Sequence, residues 1–209
     1  GEARAPASGD LRRHTGGRGF NDRTMALIGA LIIAVLALPP VREALEAQMI
    51  LHMLVQIPLL ALAGGLAAQA VPSRWRAAVA LWNRLGVTGT ILALIVSTWW
   101  MVPRALDGAL SSGTTEMAKF VSLPALVGVP VALSWRELPF VGKGFVLANV
   151  LPMWAVVGWL YVAAPTRLCN YYLVDQQATA GSGLIVASVV ASMVAFAAVL
   201  MAPRQAGAA

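Results

Sequence analysis

Apolar residues dominate six stretches of the chain, and short polar segments separate them. A helix needs about 20 mostly apolar residues to cross the hydrocarbon core of a bilayer, which is roughly 30 Å thick. The pattern therefore predicts an all-α fold, a polytopic membrane bundle of about six transmembrane helices. The first stretch is short, so flanking residues must extend it. The predicted spans cover residues 24–39, 48–69, 87–105, 118–135, 145–164 and 180–202.

Prolines mark the ends of these stretches, because proline lacks a backbone donor and interrupts a helix. Between the stretches there is no room for a second domain. We therefore divide the chain into a basic cytoplasmic arm (1–23), a six-helix transmembrane domain (24–203) and a short cytoplasmic tail (204–209). The arm is rich in Gly, Arg and Ser, which predicts a flexible segment. The boundary prolines are Pro39, Pro40, Pro72, Pro103, Pro139, Pro165 and Pro203.

The composition agrees with a membrane protein. Hydrophobic residues make up 59% of the 209 residues and charged residues 11%, with a mean hydropathy of +0.75. Soluble domains carry about 25% charged residues, so this chain cannot coat a globule with charge. The single cysteine excludes an internal disulfide. No nucleotide loop, Ser/His/Asp set or carboxylate pair is recognisable in the sequence, so we expect a protein that is not an enzyme.

The formal net charge of +6 is unevenly placed along the chain. With a cytoplasmic N-terminus, eleven of the 15 Lys and Arg residues fall on the cytoplasmic side. Such an excess is typical of cytoplasmic loops in membrane proteins. We therefore predict a multi-pass protein of the inner (plasma) membrane with both termini inside. The four basic residues left on the outer side are Arg42, Arg104, Lys119 and Arg167.

The second span carries the most informative polar residues. Gln48, His52 and Gln56 recur every four residues and so share one helix face, flanked by Met49 and Met53. Imidazole nitrogen and thioether sulfur are ligands that suit Cu(I). The alternative is structural, since methionine often fills apolar helices and histidine or glutamine often bonds to a neighbouring helix.

Further polar candidates lie on the predicted outer side. Glu116 and Lys119 have the spacing to meet on the first turn of the fourth helix. Asp175 is a candidate cap for the sixth helix. Cys169 is either a copper or redox thiol or, as lone cysteines often are, an inert one. With these residues we group Gln48, Gln56, Gln176 and Gln177.

Three ordered motifs resemble the CtaG-type membrane factors of cytochrome c oxidase assembly. The segment Gln48-Met-Ile-Leu-His52-Met, with Pro58-Leu-Leu after it, resembles the family's His-Met-x-x-His … Pro-Leu-Leu helix. Trp100-Met-Val-Pro stands where the family has Trp-His-x-Pro. Asp175-Gln-Gln before Gly181 resembles its Asp-Gln-Gln-x-x-Gly entry into the last helix, one residue longer here. The resemblance runs from about residue 19 to the end of the chain.

The resemblance implies a role in oxidase assembly and copper handling, with departures at the metal positions. The family usually has seven spans, and this chain lacks the counterpart of the first. Gln48 replaces the leading histidine, Met101 replaces the histidine of Trp-His-x-Pro, and Glu116 stands among the positions of later histidines. His52 is retained. The implied copper ligands are therefore His52, Met49, Met53 and Met101, and the replacements predict weakened or lost copper binding.

Two hypotheses about function follow from the sequence. The first is an oxidase-assembly or copper-handling factor. The second is a non-catalytic subunit that anchors or bridges a larger respiratory or redox complex. A small-molecule transporter is a third, less supported interpretation, since no inverted repeat relates the two halves. The predicted partners are membrane lipids and other membrane subunits, without nucleic acid.

Overall fold

The structure, a computed structural model, describes the backbone of residues 10–201 and the side chains of residues 22–201. Within these residues the chain is helical and forms no strand, which confirms the predicted all-α class. The first helix begins at Asp10, inside the segment predicted to be a flexible arm. Residues 1–9 of that arm and the predicted tail (204–209) lie outside the described residues.

Nine helices follow one another in this described part of the chain. α3 and α7 each contain a π-helical turn, and α3 ends in a 3₁₀ turn. The helices are α1 (Asp10–Ala37), α2 (Pro39–Glu46), α3 (Met49–Ala70), α4 (Ser73–Trp82), α5 (Val87–Met101), α6 (Pro103–Ser111), α7 (Gly113–Ser134), α8 (Phe140–Ala163) and α9 (Val174–Met201).

Five of these helices are long and apolar enough to cross a membrane. They are α3, α5 (counted from the 3₁₀ turn at Arg84), α7, α8 and α9. A sixth span is formed if residues 22–37 of α1 are joined to α2, although the chain bends there by 72°. These helices indicate an integral, multi-pass membrane protein and agree with the predicted number of spans.

The short helices α2, α4 and α6 were not predicted. Pro39 and Pro103 mark helix ends in the sequence, and in the structure each also begins the next helix. Proline suits the first helical position because its missing N–H would have no partner there. The same three elements define the two ends of the bundle. The α2 end holds α2, α6 and the loop 164–173; the α4 end holds α4 and the turn 84–86.

α3 and α7 pack against each other in the centre of the bundle, and each contains a π-helical turn. In α3 the N–H of Ile57 bonds the carbonyl of His52, five residues back; in α7 the N–H of Val129 bonds the carbonyl of Pro124. A proline follows each of these donors, Pro58 and Pro130. Proline cannot donate to the α-helical ladder, so one widened turn precedes it in both helices.

Glycines allow the two backbones to approach closely. A Cβ at Gly64 of α3 would overlap the backbone of Pro124, and a Cβ at Gly128 of α7 would overlap the carbonyl of Ala61. Interfaces of small residues are typical of membrane helices, where packing replaces the hydrophobic effect as the driving force. The backbones of α3 and α7 are therefore in close contact at Gly64 and Gly128.

α8 and α9 pair in the same way and expose long apolar faces. Gly158 and Gly181 meet at the crossing, where a Cβ on either would lie within 2.6 Å of the other residue's carbonyl oxygen. The outer faces leave large side chains exposed, among them Trp159, Met193 and Phe196. Extended apolar faces of this kind are unfavourable in water and suit a lipid environment.

We expect Gly128→Ala to destabilise the protein by about 1–3 kcal/mol, the usual cost of overpacking. The new methyl group would meet a backbone carbonyl, which cannot move aside as a flexible side chain does. Thermal unfolding in detergent measures the change. Gly144→Ala in α8 is the control, because nothing but its chain neighbours and its own helix backbone lies within 4 Å of a Cβ there. Equal melting temperatures for the two variants would contradict the close contact.

Candidate functional site

A lysine is fully buried at the α2 end of the bundle. Lys119 lies in α7, and its side chain has 0% relative exposure. It is the charged residue of the apolar stretch 118–135. A buried ammonium is strongly unfavourable unless a counter-charge and hydrogen-bond acceptors surround it. The contacts of Lys119 therefore define the candidate site.

The ammonium group of Lys119 finds three acceptors. Its Nζ lies 2.5 Å from Oε1 of Glu46, 3.1 Å from Oε1 of Gln56 and 3.2 Å from Nε2 of His52. An ammonium carries three donors, so all of them are used. Nε2 of Gln56 also donates to Oε1 of Glu46 at 3.1 Å, which closes a ring of contacts. We call Glu46, His52, Gln56, Lys119 and Tyr172 the lysine network.

Tyr172 determines which nitrogen of His52 carries the proton. Its hydroxyl donates to the backbone carbonyl of Glu46 at 2.9 Å, and Nδ1 of His52 lies 2.8 Å from the same oxygen. Because the hydroxyl has only one proton, Nδ1 must be the donor to Tyr172. Nε2 is then the unprotonated nitrogen and accepts from Lys119. His52 is thus a neutral imidazole whose two nitrogens are both hydrogen-bonded.

Four segments distant in sequence supply these side chains. Glu46 is the last residue of α2, His52 and Gln56 begin and end the π-helical turn of α3, Lys119 belongs to α7, and Tyr172 comes from the loop 164–173. The 72° bend between α1 and α2 turns α2 so that Glu46 reaches Lys119. The lysine network therefore joins the whole α2 end.

A second ion pair connects α2 to α7 at the edge of the network. Nη1 of Arg42 lies 2.9 Å from Oε1 of Glu116. The predicted contact between Glu116 and Lys119 is wrong, because each pairs with a residue of α2 instead. These residues share one helix, so spacing alone could not show that a bent preceding segment supplies both counter-charges.

The loop 164–173 is held by side chains from α6 and α9. The carboxylate of Asp107 accepts from the backbone N–H of Asn170 at 2.8 Å and from its side-chain amide at 3.0 Å. Gln177 accepts from the backbone N–H of Leu168 at 2.8 Å and donates to the carbonyl of Tyr161 at 3.1 Å. These bonds fix the position from which Tyr172 reaches the network.

Cys169 is buried within the same loop. Burial, and then the negative charge of Asp107, raises the pKa of its thiol to about 12. Burial and the nearby carboxylate of Glu46 also raise the pKa of Tyr172. A neutral, buried thiol is a poor nucleophile and a poor metal ligand. This geometry supports the inert alternative for Cys169 over a redox or copper thiol.

The other predicted candidates differ in how far they are buried. Met49 and Met53 are buried in the core, whereas Met101 is partly buried. Gln48 is exposed and stands apart from the lysine network. Asp175 is exposed in the first turn of α9, and Gln176 donates to the carbonyl of Ala47 at 3.4 Å.

The sequence pattern does not single out Glu46 or Tyr172, and it pairs Lys119 with Glu116 rather than with Glu46. A signal existed for Lys119, because a lone charge inside an apolar span requires a buried partner. The identity of that partner could not be read from the sequence, since 73 positions separate Glu46 from Lys119.

The hydrogen bonds of His52 do not fit the implied copper ligand set. Its Nδ1 is protonated towards Tyr172, and the lone pair of Nε2 accepts from the ammonium of Lys119. Copper at Nε2 would displace that ammonium and stand beside its positive charge. Across residues 22–201, no three His, Cys, Asp or Glu side chains are arranged to hold a metal ion.

No protein-family model, curated protein or solved structure matches this chain. The resemblance to oxidase-assembly factors thus depends on the motif residues alone. The fold and the site define the chain as a multi-pass helical membrane protein with a buried, fully hydrogen-bonded charge network at one end.

We expect Lys119→Met to destabilise the protein by about 3–5 kcal/mol, since it leaves the carboxylate of Glu46 without its counter-charge. The double variant Glu46→Gln/Lys119→Met removes both charges and should lose less stability than the sum of the two single changes. Chemical unfolding in detergent measures each difference.

Lys143→Met is the matched control for that series. Lys143 is partly exposed, and its Nζ lies 5.8 Å from the ring centroid of Trp135. Such a cation–π contact contributes about 0.5–1 kcal/mol at exposed sites. If Lys119→Met is no more destabilising than Lys143→Met, the network does not stabilise the α2 end.

We expect Cys169 to react very slowly with maleimide in the folded protein. With a pKa of about 12, roughly one thiol in ten thousand is ionised at pH 8. Labelling should accelerate as the pH rises towards 12 and after denaturation. Tyr171→Cys in a Cys169→Ala background is the control, because Tyr171 is 56% exposed. Equal native labelling rates at the two positions would contradict this assignment.

Proposed function

We propose that this protein supports the assembly of a membrane oxidase by associating with other membrane proteins, without copper held at His52. The motif resemblance supports the assembly role. The observation that carries the second half of the proposal is the hydrogen bond from Lys119 to Nε2 of His52, at 3.2 Å. The lone pair of Nε2, which would have to bind a metal, already accepts a hydrogen bond from the Lys119 ammonium.

The lysine network gives the α2 end a rigid shape suited to docking. Charged pairs join α2 to α7, and Tyr172 joins the loop 164–173 to both α2 and α3. Around this end, Trp99, Met117 and Tyr171 are each more than half exposed. Tryptophan and tyrosine are enriched in interaction surfaces and at membrane interfaces, so we assign the partner contacts to this rim.

A permanent bridging subunit is the second candidate function. The lysine network favours this function too, because the three donors of Lys119 are all hydrogen-bonded within the protein. A subunit with a purely structural role does not need a free group that could bind a ligand. The two functions differ in when the partner is bound. An assembly factor associates with immature oxidase and leaves, whereas a subunit stays in the mature complex.

Deleting the chain in its source organism tests the assembly role. We expect the membranes to contain less active oxidase, measured by its haem spectrum and turnover, and a plasmid copy to restore it. His52→Gln should also restore it, since an amide can accept from Lys119 and donate to Tyr172. Oxidase levels that do not change on deletion would overturn the assembly proposal.

Two further measurements separate the alternatives. The chain purified from copper-grown cells should contain far less than one copper per molecule, with no decrease in His52→Gln. Stoichiometric copper that disappears in that variant would overturn the metal-free half of the proposal. Finding the chain at stoichiometric amounts in purified mature oxidase would establish the bridging subunit instead.

A further inference from the structure

A cavity of about 360 Å³ opens at the α4 end, opposite the lysine network. It lies between the last turns of α3 and α7, the helix α4 and the turn 84–86. Its volume is within the range of small-molecule sites, roughly 300–1,000 Å³. None of the predicted site residues lines it.

Three arginines line the cavity against one carboxylate. They are Arg76, Arg84 and Arg136, and the carboxylate is that of Glu137. Arg76 donates to the carbonyls of Ala68, Gln69 and Val71 at 2.6–3.0 Å. Its guanidinium therefore caps the C-terminal end of α3. The cavity therefore keeps an excess of positive charge.

Arg84 and Arg136 are the two arginines available to a ligand. Both are exposed, and among residues 22–201 neither side chain makes a hydrogen bond or an ion pair. A guanidinium binds phosphate through two parallel hydrogen bonds, which favours arginine where phosphate is recognised.

The backbone beneath these arginines is fixed. Nδ2 of Asn83 donates to Oγ of Ser134 at 2.9 Å, and Oδ1 of Asn83 accepts from the N–H of Gly89 at 2.8 Å. Leu85 and Gly86 have positive φ angles of 56° and 71°. A Cβ at Gly86 would overlap the carbonyl of Ser134, so only glycine fits there. Arg84 and Arg136 are thus held on facing elements before a ligand arrives.

Exposed aromatic and apolar side chains of α4 and the turn 84–86, two of the elements that line the cavity, indicate its depth in the membrane. Trp75, Leu81, Trp82 and Leu85 are 58–83% exposed. Tryptophan next to basic residues is typical of the level of the lipid head groups. The ten-residue helix α4 is too short to cross a bilayer and suits this interface.

We propose that this cavity binds the phosphate group of an anionic membrane lipid, with Arg84 and Arg136 as its ligands. The head group enters the cavity, and the acyl chains lie along the exposed apolar residues around it. Basic pockets between membrane helices bind anionic head groups in this way. The inference is independent of the proposed oxidase role.

The test measures lipid binding to the full chain in a neutral detergent. Phosphatidylglycerol, phosphatidylcholine and inorganic phosphate are titrated separately, and binding is followed by native mass spectrometry and melting temperature. We expect phosphatidylglycerol alone to bind and to raise the melting temperature. Arg84→Gln/Arg136→Gln should lower its affinity about thirtyfold, the effect of losing two basic residues at an anionic surface.

Arg104→Gln/Arg167→Gln is the control, since it removes two exposed arginines from the α2 end and leaves the cavity intact. Melting without lipid verifies that both double variants fold. Equal loss of affinity in the two would show general charge attraction and overturn the proposal. If inorganic phosphate stabilises the protein as much as phosphatidylglycerol does, the cavity is a site for the free anion. If phosphatidylcholine binds as well as phosphatidylglycerol, the cavity does not recognise charge. Either result would overturn the proposal.

Discussion

The buried ammonium of Lys119 is the constraint on which the α2 end depends. A charge inside a membrane bundle is acceptable only when its donors are satisfied, and Lys119 reaches three acceptors from two other helices. Those helices must therefore come together at one point. Three features bring the side chains of the network together: the 72° bend after α1, the π-helical turn of α3 and the position of the loop 164–173.

The two ends of the bundle treat positive charge in opposite ways. At the α2 end, Lys119 is enclosed, and its charge is balanced by the carboxylate of Glu46. At the α4 end, Arg84 and Arg136 remain exposed above a fixed turn. An enclosed, balanced charge stabilises a structure, whereas an exposed, unbalanced one is available to a ligand. This difference separates the structural network from the candidate lipid site.

The sequence predicted the spans well, because length and hydropathy alone determine which segments suit a bilayer. The predicted boundaries are wrong where polar side chains occupy the first turn of a helix. Gly113 and Val174 start α7 and α9 several residues before the predicted spans, since partners such as Arg42 and Leu168 satisfy the polar side chains there. Of the predicted stripe Gln48, His52 and Gln56, the last two contact Lys119, whereas Gln48 is exposed. Their partners come from distant segments, and such contacts leave no local pattern to read.

The π-helical turn of α3 also has a rotational consequence. One additional residue in a helix of 3.6 residues per turn changes the direction of every later side chain by about 100°. The start of the turn can therefore direct His52 to the lysine network, while the part of α3 after the turn directs Gly64 to α7. A single inserted residue allows one continuous helix to satisfy two neighbours that lie in different directions.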